Sequence, residues 1–299
     1  MAPKKTVAYQ FPHPMDNNTL VGHGDTLQTF MDAWAVRDTH PIHPVWMLCG
    51  PRGIGKATLA YKIASMVYGN VGDFFIIDLA RNIDKDGKVK SDGKSISVYT
   101  VRAMIEKMQM SSMSGDWRVV LIDAVDELNT AASNAILKLL EEPPAKTLFL
   151  LVTHQLANVL PTVRSRARVE KMRPLTISQL RELCAKFIPD ADVDTATLKL
   201  SNGSFGKIAA LKSSGGDKIY ADLIDVINNP RANPGDVMGI AKKIAGDPSL
   251  HGIILDAIAS FGLADLYPVA THAIADINRV NLEPEIAIFK IINEIKKCL

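Results

Sequence analysis

Cysteine is nearly absent: Cys49, Cys184 and Cys298 are the three in 299 residues, far apart, odd in number and with no CxxC pair. That scarcity argues against a disulfide framework and against a structural zinc, and it fits a reducing cytoplasm. Also missing is any uninterrupted apolar run of about 18 residues, the length a membrane-crossing helix needs. The opening Met1-Ala2-Pro3-Lys4-Lys5 is basic, but Tyr9-Gln10-Phe11-Pro12-His13-Pro14 and polar residues follow it instead of the apolar core of a secretory leader. The expected location is therefore cytoplasmic, with no membrane partner. Charge of one sign is lacking too. With 34 Lys and Arg against 32 Asp and Glu the net charge is +2, so the chain lacks the basic footprint of a dedicated nucleic-acid binder. DNA and protein partners both stay open.

What is present is a globular chain, 47% hydrophobic and 22% charged, too long for one ordinary core. An amphipathic helix around Thr26–Ala35 follows an extended arm. Apolar runs too short for helices recur at 45–49, 74–77, 119–122 and 148–152, and read as buried strands. Helical spacing separates them at 57–68, 99–110 and 130–140, the last stopped by Glu141-Glu142-Pro143-Pro144. Apolar strands alternating with amphipathic helices mean an α/β fold, a parallel sheet with helices on both faces. The charged, glycine-containing 84–94 reads as an exposed loop. After Arg173-Pro174 the strand signal fades, and Ser213-Ser214-Gly215-Gly216 is the best linker candidate. Three domains are expected: 1–172, 173–214 and 215–299, the last two helical.

Gly50-Pro51-Arg52-Gly53-Ile54-Gly55-Lys56-Ala57 follows a strand and opens a helix, the context that a phosphate-binding loop requires. Gly50, Gly53 and Gly55 let backbone N–H groups approach phosphate oxygens, the helix N-terminus adds a favourable dipole, and Lys56 supplies charge for the outer phosphates. One position fails the pattern. The residue after the lysine should be Ser or Thr, whose hydroxyl ligates Mg²⁺, and here it is Ala57. Thr58 is one helical position further on, turned away by about 100°. The loop is thus expected to bind ATP or ADP at most, with magnesium held weakly or not at all. A second apolar strand ends in Asp123, placed as a metal-directed carboxylate would be, and Ala124 follows it. The lesser alternative for Asp123 is a helix-capping or loop carboxylate. A small-molecule P-loop kinase is disfavoured, because Asp123-Ala124 offers no base and the helical region offers no acceptor site.

Gly50–Lys56, the run Asn134-Ala135-Ile136-Leu137-Lys138-Leu139-Leu140-Glu141-Glu142-Pro143-Pro144, and Leu160-Pro161-Thr162-Val163-Arg164-Ser165-Arg166-Ala167 together resemble the AAA+ subunits of clamp loaders. The likeness covers roughly residues 20–212. It implies an AAA+ RecA-like P-loop domain, a small helical lid and a C-terminal helical collar for oligomerisation. It implies that Arg166, in place of the arginine of a Ser-Arg-Cys motif, reaches the ATP of a neighbouring subunit in trans. On spacing alone, Arg164, Arg166 and Arg168 read first as the solvated face of an edge strand, and the surrounding motif reverses that preference. Hydrolysing members carry a glutamate where Ala124 stands and a lid arginine where Gly206 stands. Lys207 is expected to compensate in part for the latter, and the first sensor residue falls at Thr153 or His154. The four-cysteine zinc module of many members is expected to be absent or metal-free. The pattern implies a stationary member of a hetero-pentameric ring with three motor (gamma/tau) subunits and a clamp-opening delta subunit. That assembly loads a sliding clamp on primed DNA for DNA polymerase III. The alternative is an active motor ATPase.

Overall fold

The computed structural model describes residues 12–17, 19–69, 73–90, 95–109, 116–277 and 283–299. Residues 1–11 and 18 of the expected N-terminal arm lie outside them, as do 91–94 of the expected loop and Met110 at the end of an expected helix. Contacts divide the chain into two compact units, the described residues of Phe11–Phe187 with Asn202–Gly206, and Ile188–Ser201 with Lys207–Leu299.

The first unit holds α1 (Gly24–Ala35), β1 (Val45–Cys49), α2 (Lys56–Tyr68), β2 (Phe74–Asp78), α3 (Val98–Gln109), β3 (Arg118–Asp123), α4 (Thr130–Glu141), β4 (Thr147–Thr153), α5 (Pro161–Arg164), β5 (Arg168–Lys171) and α6 (Ile177–Phe187). Its strands form one sheet in the order β2-β3-β4-β1-β5, and every pair is parallel. Side chains alternate across a strand, so each strand feeds two cores. Val45, Met47, Val120, Ile122, Phe149 and Leu151 pack with Met104 and Ile136 on one face. Trp46, Leu48, Val119, Leu121, Leu148 and Leu150 pack with Phe30, Leu59 and Ile63 on the other. Helix-covered faces on both sides explain why β1, β3 and β4 read as unbroken apolar runs.

The edge strand β5 is polar. Arg168 lays its guanidinium 4.2 Å from the centre of the Trp46 ring, which lets a charged residue sit on the sheet. Between β2 and α3 a knot of side chains ties the chain. Asn82, fully buried, donates to Ser95 O at 3.0 Å and accepts from Ser97 N and Thr100 Oγ1, both at 2.9 Å. From it, 84–90 projects as an exposed turn closed by an Ile83–Val89 bridge, in keeping with the loop expected there.

The second unit holds α7 (Thr195–Leu200), most of α8 (Phe205–Ser214), α9 (Gly216–Asn228), α10 (Pro234–Ala245), α11 (Gly252–Ser260), α12 (Leu266–Ile277) and α13 (Pro284–Cys298). Its core is built from Leu223, Ile240, Ile244, Ile254, Ile258, Ile288 and Ile292. The segment read as a linker is no linker. Gly215 alone, at φ 70°, breaks α8 from α9, and Gly216 is already buried. Among the described residues, no helix is long and apolar enough to cross a membrane.

Candidate functional site

In a parallel sheet the carboxyl ends of all strands lie on one edge, and ligands collect there. β1 delivers Gly50 and the glycine loop to that edge, β3 delivers Asp123, and β4 delivers Thr153, which pairs in register with Cys49. Gly53 and Gly55 take φ of 78° and 102°, open to glycine and costly for other residues. Gly50 is needed for space: a Cβ there would stand 2.7 Å from Met172 O.

The loop is engaged from within and from both flanks. Four consecutive carbonyls each accept a hydrogen bond. Lys56 Nζ donates to Pro51 O at 2.5 Å, and Ser204 Oγ to Arg52 O at 2.9 Å. Gly206 N donates to Gly53 O at 3.1 Å. His23 Nε2 meets Ile54 O at 2.7 Å. A carbonyl oxygen only accepts, so the Nε2–H is the donor, and burial holds the His23 pKa below its ordinary value. Gly53 and Gly206 meet backbone to backbone, since a Cβ on Gly206 would lie 2.9 Å from Gly53 Cα. An arginine at Gly206 has no room.

The charges around the loop are similarly turned inward. Lys56 is 3% exposed. Burial brings its pKa down to about 8, against the pull of Asp123 and Asp126. Burial, reinforced by Glu127, pushes Asp123 up to about 6, against the opposing effect of Lys56. Asp126 accepts from His154 N at 3.1 and 3.2 Å and from Gln155 N at 3.0 Å. Its carboxylate is occupied in shaping the end of β4 and does not replace the acid missing at Ala124, which is buried. Glu127 lies 3.7 Å from the exposed Arg52 guanidinium. Both sensor candidates carry a buried atom without a hydrogen-bond partner, Thr153 Oγ1 and His154 Nδ1. Burial takes the His154 pKa down to about 4, so the ring is neutral. Lys207 belongs to the second unit. Its ammonium pairs with Asp256 at 2.6 Å inside the second unit, where a carboxylate in a buried setting binds it. With Ala57 and Ala124 offering no oxygen and Gly206 no charge, these residues do not fit a hydrolysed magnesium nucleotide.

Arg166 lies in the turn after α5, not in a strand. Arg164 ends that helix and Arg168 alone of the three falls in β5, so the edge-strand reading of an arginine row is corrected. The Arg166 side chain is 33% exposed. Its Nη2 contacts Glu141 Oε1 at 2.5 Å, and its Nη1 donates to Thr162 O at 2.9 Å and Ser165 Oγ at 3.2 Å. An open cavity of about 510 Å³ beside it is bordered by His43, Pro44, Leu140, Glu141, Pro143 and Ser165. His43 and Pro44 precede β1, and Pro143 precedes β4. Arg166 is therefore at the amino edge of the sheet, while the glycine loop is at the carboxyl edge. A five-residue strand lies between, roughly 16 Å of chain. Arg166 does not serve its own loop.

Three participants escape a reading by residue type: His23, Ser204 and Glu141. For Glu141 the signal is available, because it belongs to the same motif pair as Arg166. Ser204 falls in the Gly203-Ser204-Phe205-Gly206 run where the resemblance places a lid motif, but for His23 no local pattern distinguishes it from an ordinary polar residue.

Residues 35–176 match a family model described as "DNA polymerase III, delta subunit". The chain is 37% identical over 122 residues to the DNA polymerase III subunit delta' of Yersinia pestis, a match covering 40% of this chain and 33% of that protein. It is 34% identical over 173 residues to the delta' subunit of Pseudomonas aeruginosa, covering 53% and 52%. It is 31% identical over 143 residues to the DNA polymerase III subunit gamma of Buchnera aphidicola, covering 45% and 39%. The chain thus spans between a third and about half of the length of these relatives. The matches support the clamp-loader assignment carried by the motifs.

Proposed function

We propose that this chain is the delta-prime subunit of a DNA polymerase III clamp loader, a cytoplasmic AAA+ subunit that hydrolyses no ATP itself and lends Arg166 to a neighbour. The observation that carries the reading is the separation of the two charged centres. Lys56 is folded into its own loop at one edge of the sheet, and Arg166 is half-exposed at the other. A rigid guanidinium fork next to an open cavity suits the charge that spreads over the oxygens of a transferring phosphoryl group.

In this reading residues 1–172 form the P-loop domain, 173–214 the lid and 215–299 a helical collar that joins the ring, the lid's residues being divided between the two compact units. The neighbours are gamma/tau motor subunits and a delta subunit in a hetero-pentamer, and the clamp and primed DNA are engaged through the complex. Gly50, Gly53, Gly55, Lys56 and Asp123 form a vestigial ATP or ADP site that supports the fold. The likeness to gamma subunits favours a second reading, an active motor. Ala57, Ala124 and Gly206 weigh against it.

ATP turnover by the purified chain separates the two, measured alone and with clamp and primed DNA. The delta-prime reading expects no turnover in any of these mixtures. Multiple turnover by the isolated chain would overturn it.

A further inference from the structure

We infer that Glu141 is a positioning residue for Arg166. It holds the guanidinium on its own subunit until a neighbouring triphosphate draws it across. The inference rests on the in-trans role given to Arg166 above.

Glu141 is the last residue of α4. A carboxylate there faces the negative end of the helix dipole and stands next to Glu142, so helix stability gives no reason for it. Its partner is Arg166 Nη2, at 2.5 Å. Among the described residues it makes no other ion pair. The guanidinium is meanwhile tethered through Nη1 to Thr162 O and Ser165 Oγ, both within its own turn. One nitrogen thus belongs to the turn and the other to Glu141. Breaking the single contact to Glu141 frees the Nη2 end without unfolding anything.

The exposure of the pair sets its strength. Arg166 and Glu141 side chains are 33% and 46% exposed, so the pair is a weak, competed one. A single carboxylate of charge −1 loses that competition to the terminal phosphates of a nucleoside triphosphate, which present more charge and a geometry matched to the fork. It competes better against a diphosphate, whose charge is lower and lies further away. Glu141 would therefore make engagement of the arginine conditional on a triphosphate in the neighbour's site. Arg166 is the catalytic group in this account, and Glu141 acts only through it.

The test is Glu141→Gln in the full chain, which keeps the shape and the accepting oxygen and removes the charge. In a ring reconstituted with motor subunits, the KM for ATP at the adjoining site should fall about two- to fivefold, the worth of a half-exposed ion pair, while kcat stays level. Inhibition by ADP should strengthen by a smaller factor, because a diphosphate gains only its own weaker contact with the freed guanidinium. On the isolated chain, labelling of Arg166 by an arginine-selective dicarbonyl should accelerate, with no change in melting temperature. An unchanged KM, or a fall in kcat at constant KM, would overturn the role given to Glu141. Arg166→Ala runs beside it. If that variant leaves ring turnover intact, the finger reading fails. If it lowers turnover while Glu141→Gln does nothing, only the positioning role fails.

Discussion

The two edges of one sheet carry the same ingredients, a cation, nearby carboxylates and a turn at a helix, and arrange them oppositely. At the carboxyl edge Lys56 is buried and donates into the carbonyl of its own loop, and three more carbonyls of that loop are bonded to His23, Ser204 and Gly206. At the amino edge Arg166 keeps part of its surface in water, beside a cavity, held by contacts that water or a phosphate can replace. A cation that is satisfied inside a closed loop stabilises the fold. One that is loosely held at an open surface is available to a partner. The difference lies in access, and residue type alone does not express it.

The largest effect that would sharpen this contrast is at Arg166. Arg166→Lys keeps the charge and loses the planar fork, so turnover at the adjoining site of a reconstituted ring should drop by ~10² or more, close to the loss for Ala. Retained turnover in a single-site ring assay would mean that a bare charge suffices. The next is Gly206→Arg, which restores the lid arginine of hydrolysing relatives. Its Cβ meets Gly53 Cα, and the over-packing should remove ~1–3 kcal/mol in a denaturant titration without creating turnover. A stable variant that hydrolyses ATP would break the comparison, since the loop would then be closed only by the missing side chain.

A smaller effect is expected at Asp123. Its folded pKa of about 6 lies above the ordinary carboxylate value of 3.8. The folded state holds that proton more tightly than the unfolded chain, so the associated stability is full below about pH 4 and is lost as pH rises through 6. Asp123→Asn should match the parent at pH 4 and exceed it by ~1–2 kcal/mol at pH 8, read from denaturant midpoints. A variant less stable at pH 8 would show that the ionised carboxylate has a partner that stabilises it. Least affected should be Lys56→Ala, with ring turnover unchanged within assay error. A large loss there would mean that the closed loop opens to bind nucleotide.

Much of the first unit is legible in the sequence, because burial on both faces makes β1, β3 and β4 apolar at nearly every position and the glycine loop has a fixed spacing. β5 is not, because Arg168-Val169-Glu170-Lys171 shows no apolar run, and its place on the edge depends on Arg168 covering Trp46, more than 100 residues earlier. The linker reading of Ser213–Gly216 fails for a related reason: glycine marks a break in a helix but says nothing of its length. At the site, Ala57, Ala124 and Gly206 are visible as absences. The closure of the loop is not visible, because it is made by backbone carbonyls, which every sequence has, and by donors from 152 residues away. The pairing of Lys207 with Asp256 is hidden in the same way, 49 residues apart.

The central claim is that the chain's chemical contribution is made at Arg166 and not at its own loop. The most direct measurement puts Lys56→Ala and Arg166→Ala, one at a time, into the same reconstituted ring and follows steady-state ATP turnover with clamp and primed DNA. The account predicts that the lysine variant keeps parental turnover and the arginine variant loses it. The reverse result, loss with Lys56→Ala and none with Arg166→Ala, would contradict it.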